Sequence, residues 1–355
     1  MRALVAALQS RRGRQYGKPE RRAVMSKKKT AGIIAIAALC AAAGGLAGAA
    51  GYYYNQSMVP KKHDPHNDND PLEQPYTSGR HWMNEHVRRQ DVFTISEDGL
   101  QLHGNFILAS DPDCHRYAVC VHDINDSAEI MGVFARHYYE ECGMSVLLPD
   151  LRGFGASEGS AAGLGYKDAD DLIRWIYFIL ERDPDAVIIL HGISMGAAAV
   201  LTATGRALPD QVLAAIADSS YTTGKEIFRA EYQRKSHRLI PFGMMFALVR
   251  GTALVRAHYD IAKVSPLDAV RHSATPTLFI QSEDDDTVPA GMMPRLYEAA
   301  TCRKDFLWIP DAGHVMGVSA APKKYWAKVE SFLDGITPFI LHDNIKDTDP
   351  YREEI

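Results

Sequence analysis

The stretch Ala186-Val-Ile-Ile-Leu-His-Gly-Ile-Ser194-Met-Gly196-Ala-Ala-Ala-Val decides how the chain folds. Residues 186–192 form a short apolar run of the kind found in a strand buried on both faces. A glycine–x–serine–x–glycine turn follows, and then a helical run rich in small residues. A serine between a buried strand and a helix N-terminus sits on a tight turn. The flanking Gly192 and Gly196 let strand and helix approach without a Cβ clash. The first backbone N–H groups of such a helix have no intrahelical acceptor and point toward whatever anion forms there. Ser194 is therefore the candidate nucleophile.

Outward from this point, strand and helix patterns alternate. Short apolar runs at 117–122, 144–150, 212–220, 276–282 and 305–310 read as strands. Residues 127–141 and 166–182 read as helices. Strands alternating with helices of this length give an α/β architecture, a largely parallel sheet covered on both faces. Residues 92–95 and 102–108 flank Asp98-Gly99, a hairpin signal that places antiparallel strands at one edge.

The N-terminal quarter differs in composition. Residues 1–30 are basic, and Ala31–Ala50 contains no charge. About 20 uncharged residues suffice to cross a membrane as a helix. The basic residues before the run place the N-terminus inside and the remainder outside. Tyr52, Tyr53 and Tyr54 follow as an interfacial belt. Residues 31–54 are thus expected to be a single-pass anchor, with a cleaved signal peptide and a secreted product as the alternative. Met25 opens a stretch that reads as a natural start. Residues 55–84, rich in Pro, Asn and Asp, read as a polar linker, His63 and His66 within it as solvated groups rather than metal ligands. The main domain spans 85–340, and 341–355 is a charged tail.

The chain has 355 residues and a net charge of −5, so no basic excess points to nucleic acid. Its five cysteines form no CxxC pair, and a Cys114–Cys302 disulfide has nothing in its favour. No metal or organic cofactor is expected.

A nucleophilic serine needs a base. Catalytic groups of open α/β sheets gather at the carboxyl ends of strands. His314, in Pro310-Asp311-Ala312-Gly313-His314, follows the last strand and is the candidate. His122 and His191 also end strands and are read as structural. The base needs an orienting acid, and four consecutive acids, Glu283-Asp284-Asp285-Asp286, follow the strand at 276–282. Asp218, after the preceding strand, is a further alternative.

Taken together, HGISMG, PDLRGFGASEG, TPTLFIQSEDDDTVP and PDAGH resemble the α/β-hydrolase superfamily, over roughly residues 85–340. More narrowly, they resemble its membrane-anchored members in Gram-positive bacteria. The order Ser194…acid…His314 agrees with that resemblance. It implies an acid that precedes Val288-Pro289 with two residues between, which points to Asp285, with Asp284 and Asp286 as fallbacks. It implies an oxyanion hole from the N–H groups of Ile124 and Met195. Asp123 stands where the family has glycine, so a carboxylate aimed inward would oppose the developing charge. Asp150-Leu151-Arg152-Gly153-Phe154-Gly155 matches a loop with a structural role. The implied chemistry is acyl transfer through a Ser–Asp–His triad.

In this fold the insertion at 222–264 is expected to be a helical cap. It carries eight basic and three acidic residues around an apolar stretch, Ile240–Phe246. Such a lid suits a small-molecule or lipid-like acyl substrate with an anionic head, or anionic lipid itself. The expected function is an exported hydrolase of carboxylic esters or lipid-like acyl groups. The alternatives are a prolyl-oligopeptidase-like peptidase and a catalytically inactive surface-binding protein.

Overall fold

The computed structural model describes residues 44–61, 70–234 and 240–336. The chain divides into two compact units, 1–48 and 49–355. Of the first, only 44–48 are described, and they are helical. Most of the expected membrane segment, together with His63, His66, Lys235, Arg238, Cys40 and the charged tail, lies outside the described residues. No helix among the described residues is long and apolar enough to cross a membrane.

The second unit is built on eight strands: β1 (Gln90–Ile95), β2 (Gln101–Ile107), β3 (Arg116–Val121), β4 (Ser145–Pro149), β5 (Val187–Ile193), β6 (Val212–Asp218), β7 (Thr277–Ser282) and β8 (Lys304–Ile309). Their spatial order is β1-β2-β4-β3-β5-β6-β7-β8. β2 pairs antiparallel with both β1 and β4. All pairings from β4 to β8 are parallel. The strands therefore match the apolar runs, and the antiparallel pair lies at the edge the Asp98-Gly99 turn indicated.

Every residue of β3 is buried because its apolar side chains face helices on both sides. Alternate residues enter different cores: Val119 and Val121 join one cluster, Ala118 and Cys120 the other. The helix Lys167–Leu180 buries Leu172, Trp175, Ile176 and Ile179, a stripe at helical spacing. The helix Met195–Thr204 is buried on all sides, which its run of alanines permits. Cys114, Cys120, Cys142 and Cys302 carry free thiols, so no Cys114–Cys302 bridge forms.

Two segments differ from a simple linker. Residues 49–58 are helical, and Tyr54 and Met58 are each only 1% exposed within the core. Tyr54, expected at a membrane interface, is packed against protein, and Arg256 lies 4.7 Å over its ring. Further on, Gln74–Glu85 forms a helix that buries Tyr76, Trp82 and Met83. Both segments carry aromatic and Met side chains at helical spacing, whose burial outweighs the polar composition around them. The insertion is helical as expected, with helices Gly224–Arg234 and Phe242–Arg256.

Candidate active site

Ser194 closes β5 and caps the helix Met195–Thr204 with φ 50° and ψ −112°. A side-chain-bearing residue held at positive φ costs about 1–3 kcal/mol and persists only where its surroundings enforce it. Here they do. A Cβ on Gly192 would lie 2.4 Å from the Gly196 carbonyl oxygen, and one on Gly196 only 2.1 Å from that of Val121. The Ser194 N–H donates to the Asp218 carbonyl at 2.8 Å. The turn is locked between β3 and β6, and its side chain is presented at the carboxyl end of the sheet.

His314 arrives on the loop after β8. Its Nε2 is 2.9 Å from Ser194 Oγ, and its Nδ1 is 2.7 Å from Asp285 Oδ2. Asp285 sits after β7 and is the buried member of the acidic run, while Glu283, Asp284 and Asp286 face solvent. Its Oδ1 accepts from the Thr287 and Val288 N–H groups at 2.9 and 2.7 Å. Its Oδ2 also accepts from Gln281 Nε2 at 3.0 Å. The structure thus brings Ser194, His314 and Asp285 into one hydrogen-bonded chain. Asp218, the more distant alternative, is buried elsewhere: it accepts from Tyr325 and Ser219. Burial pushes its carboxyl up to about 6.

The other two histidines at strand ends are held by structural partners. Leu151 N–H donates to His122 Nε2, which leaves the proton on Nδ1 to donate to the Asp123 carbonyl. His191 lies between the hydroxyls of Tyr138 and Tyr325, and burial brings its imidazole down to about 3. Asp150 accepts from the N–H groups of Ala128 and Ala156, which ties its loop to the segment after β3.

That segment carries Asp123 and Ile124. Asp123 does point inward. Its Oδ1 accepts from the Ile124 N–H at 2.5 Å and from the Met195 N–H at 3.2 Å, the two donors expected to form an oxyanion hole. Its Oδ2 lies 3.6 Å from His314 Nε2. Burial opposes a charge on His314. Hydrogen bonds and charges from Asp123 and Asp285 outweigh it and push the imidazole up to about 10. Burial would raise the Asp123 carboxyl, but His314, Ser194 and the Ile124 N–H bring it below its usual range.

A cavity of about 180 Å³ opens over Ser194. Its wall includes Met195, Tyr221, Phe228 and Val288, and also Gln56 and Ser57 from the N-terminal helical segment. Sequence reasoning placed those two in a linker. Only the buried Tyr54 and Met58 beside them signalled that the segment belongs to the domain. Gln281, which steadies Asp285, was likewise not singled out, because a glutamine inside an apolar strand has no distinguishing pattern. The described cap cations are largely engaged within the chain. Arg234 pairs with Glu231 and Arg250 with Asp260, and Arg229 lies over Phe242.

An Asp–His–Ser chain beside paired backbone donors and an apolar cavity is an arrangement able to carry out acyl transfer. Comparison with known proteins agrees with the fold. The model of the alpha/beta hydrolase family matches residues 118–327. The chain is 31% identical over 205 residues to the uncharacterised protein YqkD of Bacillus subtilis (strain 168), covering 56% of this chain and 65% of that one. It thus spans slightly less than two thirds of that relative. It is 26% identical to the alpha/beta hydrolase domain-containing protein WAV2 of Arabidopsis thaliana, over 70% of this chain and 80% of that one. Among solved structures it is similar in fold to the Pyrococcus furiosus esterase Pf2001 (TM-score 0.57, 19% identity, 78% of this chain and 99% of that one). An acetyl xylan esterase from Paenibacillus sp. R4 is similar to a like degree (TM-score 0.53, 18% identity, 77% and 96%). With its eight-stranded sheet and a family match over more than half its length, the chain belongs to the alpha/beta hydrolase family.

Proposed function

We propose that this chain is a serine hydrolase that cleaves carboxylic esters or lipid-like acyl groups through an acyl-enzyme. The observation that carries this reading is the Asp285–His314–Ser194 chain, with distances of 2.7 and 2.9 Å, on a strained strand-to-helix turn. Ser194 Oγ attacks the acyl carbon as its proton passes to His314 Nε2. The tetrahedral adduct expels the alcohol, which takes that proton. Water then attacks the acyl-enzyme by the same route, releasing the acid and restoring Ser194. Asp285 holds the imidazole tautomer. The N–H groups of Ile124 and Met195 face the oxyanion once Asp123 has moved.

The basic residues 1–30 and the uncharged run that follows support a single-pass membrane anchor with the hydrolase domain outside the cell. Treatment with a fluorophosphonate tests the chemistry. Labelling of the native chain and not of Ser194→Ala supports an activated serine.

A second reading, a surface-binding protein without turnover, draws on one observation: Asp123 occupies the oxyanion donors. Labelling absent from both the native chain and Asp123→Gly would favour it.

A further inference from the structure

A carboxylate oxygen occupies the place where the oxyanion would form. Asp123 Oδ1 holds both backbone donors, and hydrogen bonds to an ionised acceptor are roughly twice as strong as those to a neutral one. A neutral ester carbonyl entering the cavity therefore competes against a better acceptor. Once displaced, the carboxylate travels no further than its own side chain allows. Its backbone directly precedes one of the donors, so it stays beside the scissile carbonyl.

There it needs a cation. The cavity wall is apolar at Met195, Phe228 and Val288 and polar but uncharged at Gln56, Asn125 and Tyr221, and a carboxylate moved off its two N–H donors without a cation is disfavoured in such surroundings. Among the described residues, Arg234 lines the cavity and His314 touches Asp123, and both are committed; Lys61 Nζ donates to the carbonyl and side-chain oxygens of the cavity-lining Gln56. Arg234 is paired with Glu231 and lies 3.9 Å from Asp286. His314 is shared with Asp285. Among the described residues, the charged side chains lining the cavity are two carboxylates, Asp123 and Glu231, and one guanidinium, Arg234, so the described wall is net negative. The missing charge is one the substrate would bring.

Resting on the serine acyl-hydrolase reading above, we infer that Asp123 is a specificity-determining residue that selects acyl groups bearing an ammonium on the carbon next to the scissile carbonyl, that is, aminoacyl esters. An ammonium on the acyl side stays bound through both halves of the reaction and keeps Asp123 paired in the acyl-enzyme. A cation on the alcohol would depart after the first half and leave the carboxylate unpaired. Drawing Asp123 onto the substrate also removes one carboxylate from His314, whose charged form it favours, and so frees the imidazole to act as base.

The test uses the full chain as native protein, Asp123→Asn and Asp123→Gly, each checked for folding by near-ultraviolet circular dichroism. Fluorophosphonate labelling reports whether Ser194 is activated. Values of kcat/KM are then measured for ethyl alaninate, ethyl propionate and propionylcholine. An α-ammonium activates an ester toward any nucleophile, so the readout is the alaninate-to-propionate ratio in the native protein relative to each variant. The expected result is a fall of at least about 10-fold in both variants, with propionate hydrolysis rising in Asp123→Gly. If Asp123→Gly does not fold, Asp123→Asn decides alone. A ratio unchanged within about 2-fold, with Ser194 labelled, overturns the proposal and leaves the hydrolase reading standing. So does labelling without alaninate hydrolysis, or a loss confined to propionylcholine, which would put the cation on the alcohol. Failure of every form to label or to hydrolyse any ester sinks the hydrolase reading and the proposal with it.

Discussion

His314 Nε2 stands 3.6 Å from the Asp123 carboxylate, across a gap where the family resemblance expects only glycine backbone. His314 consequently faces two carboxylates, Asp285 through Nδ1 and Asp123 through Nε2. Their charges hold the imidazole protonated up to about pH 10 despite its burial. A general base works only when neutral. The kcat/KM of the native protein for a neutral ester should therefore keep rising through the alkaline range. Asp123→Asn should move that rise toward neutral pH. The same coupling acts on stability: the charged histidine contributes below its ordinary value of 6.5, and the contribution is lost as pH climbs through about 10. The thermal midpoint of Asp123→Asn should depend less on pH over that interval. A rise in kcat/KM at the same pH in both proteins would contradict this account.

Among the four consecutive acids, only Asp285 reaches the base. Asp285→Asn should lower kcat by roughly 10²–10⁴, because the amide cannot hold the required tautomer or stabilise the imidazolium. Asp284→Asn and Asp286→Asn should stay within about 3-fold of the native rate, since both side chains face solvent. Steady-state kinetics on the three variants, with any hydrolysable ester, separates them. An Asp284→Asn defect as large as that of Asp285→Asn would reassign the acid.

Gly196 has no room for a side chain, as its Cβ would meet the Val121 carbonyl oxygen at 2.1 Å. Gly196→Ala should cost on the order of 3 kcal/mol, since the clash is with backbone that cannot rotate away. It should also displace the Met195 N–H. Urea denaturation gives the first quantity and the rate of fluorophosphonate labelling the second. Native stability and labelling in this variant would show that the turn is more pliable than its packing implies.

Met58 lies before the polar stretch yet is 1% exposed in the core. Met58→Ala should destabilise the domain by about 2–4 kcal/mol, the usual range for a large-to-small change in a core. A chain begun near residue 80 should likewise lose stability, and with it the cavity wall at Gln56 and Ser57. Thermal unfolding of chains begun at 49 and at 80 checks this. Equal midpoints would mean that the segment only rests on the surface.

Much of the fold was legible because burial on both sheet faces leaves uninterrupted apolar runs. Val187–Ile193 and Thr277–Ser282 can be read without knowing their neighbours. Ser194 was legible for the same reason: the glycines that let strand and helix touch are local in sequence. His314 could be chosen among fourteen histidines by its place after the last strand. The segment 49–58 was misjudged as the end of an anchor and the start of a linker. Three adjacent tyrosines suit a membrane interface and a protein core equally well, and only the partner surface distinguishes them.

The sequence by itself determined the strand–turn–helix at Ser194, the order of serine, acidic run and histidine, and the oddity of Asp123. These follow from local periodicity and from residue types whose steric needs are met within a few positions. Tertiary structure decided which acid faces His314, that Tyr54 and Met58 belong to the core, and that Asp123 reaches the Met195 N–H 72 residues away. Each depends on which loops meet at the carboxyl ends of strands far apart in the chain. That meeting is set by the packing of the whole sheet, which no local pattern encodes.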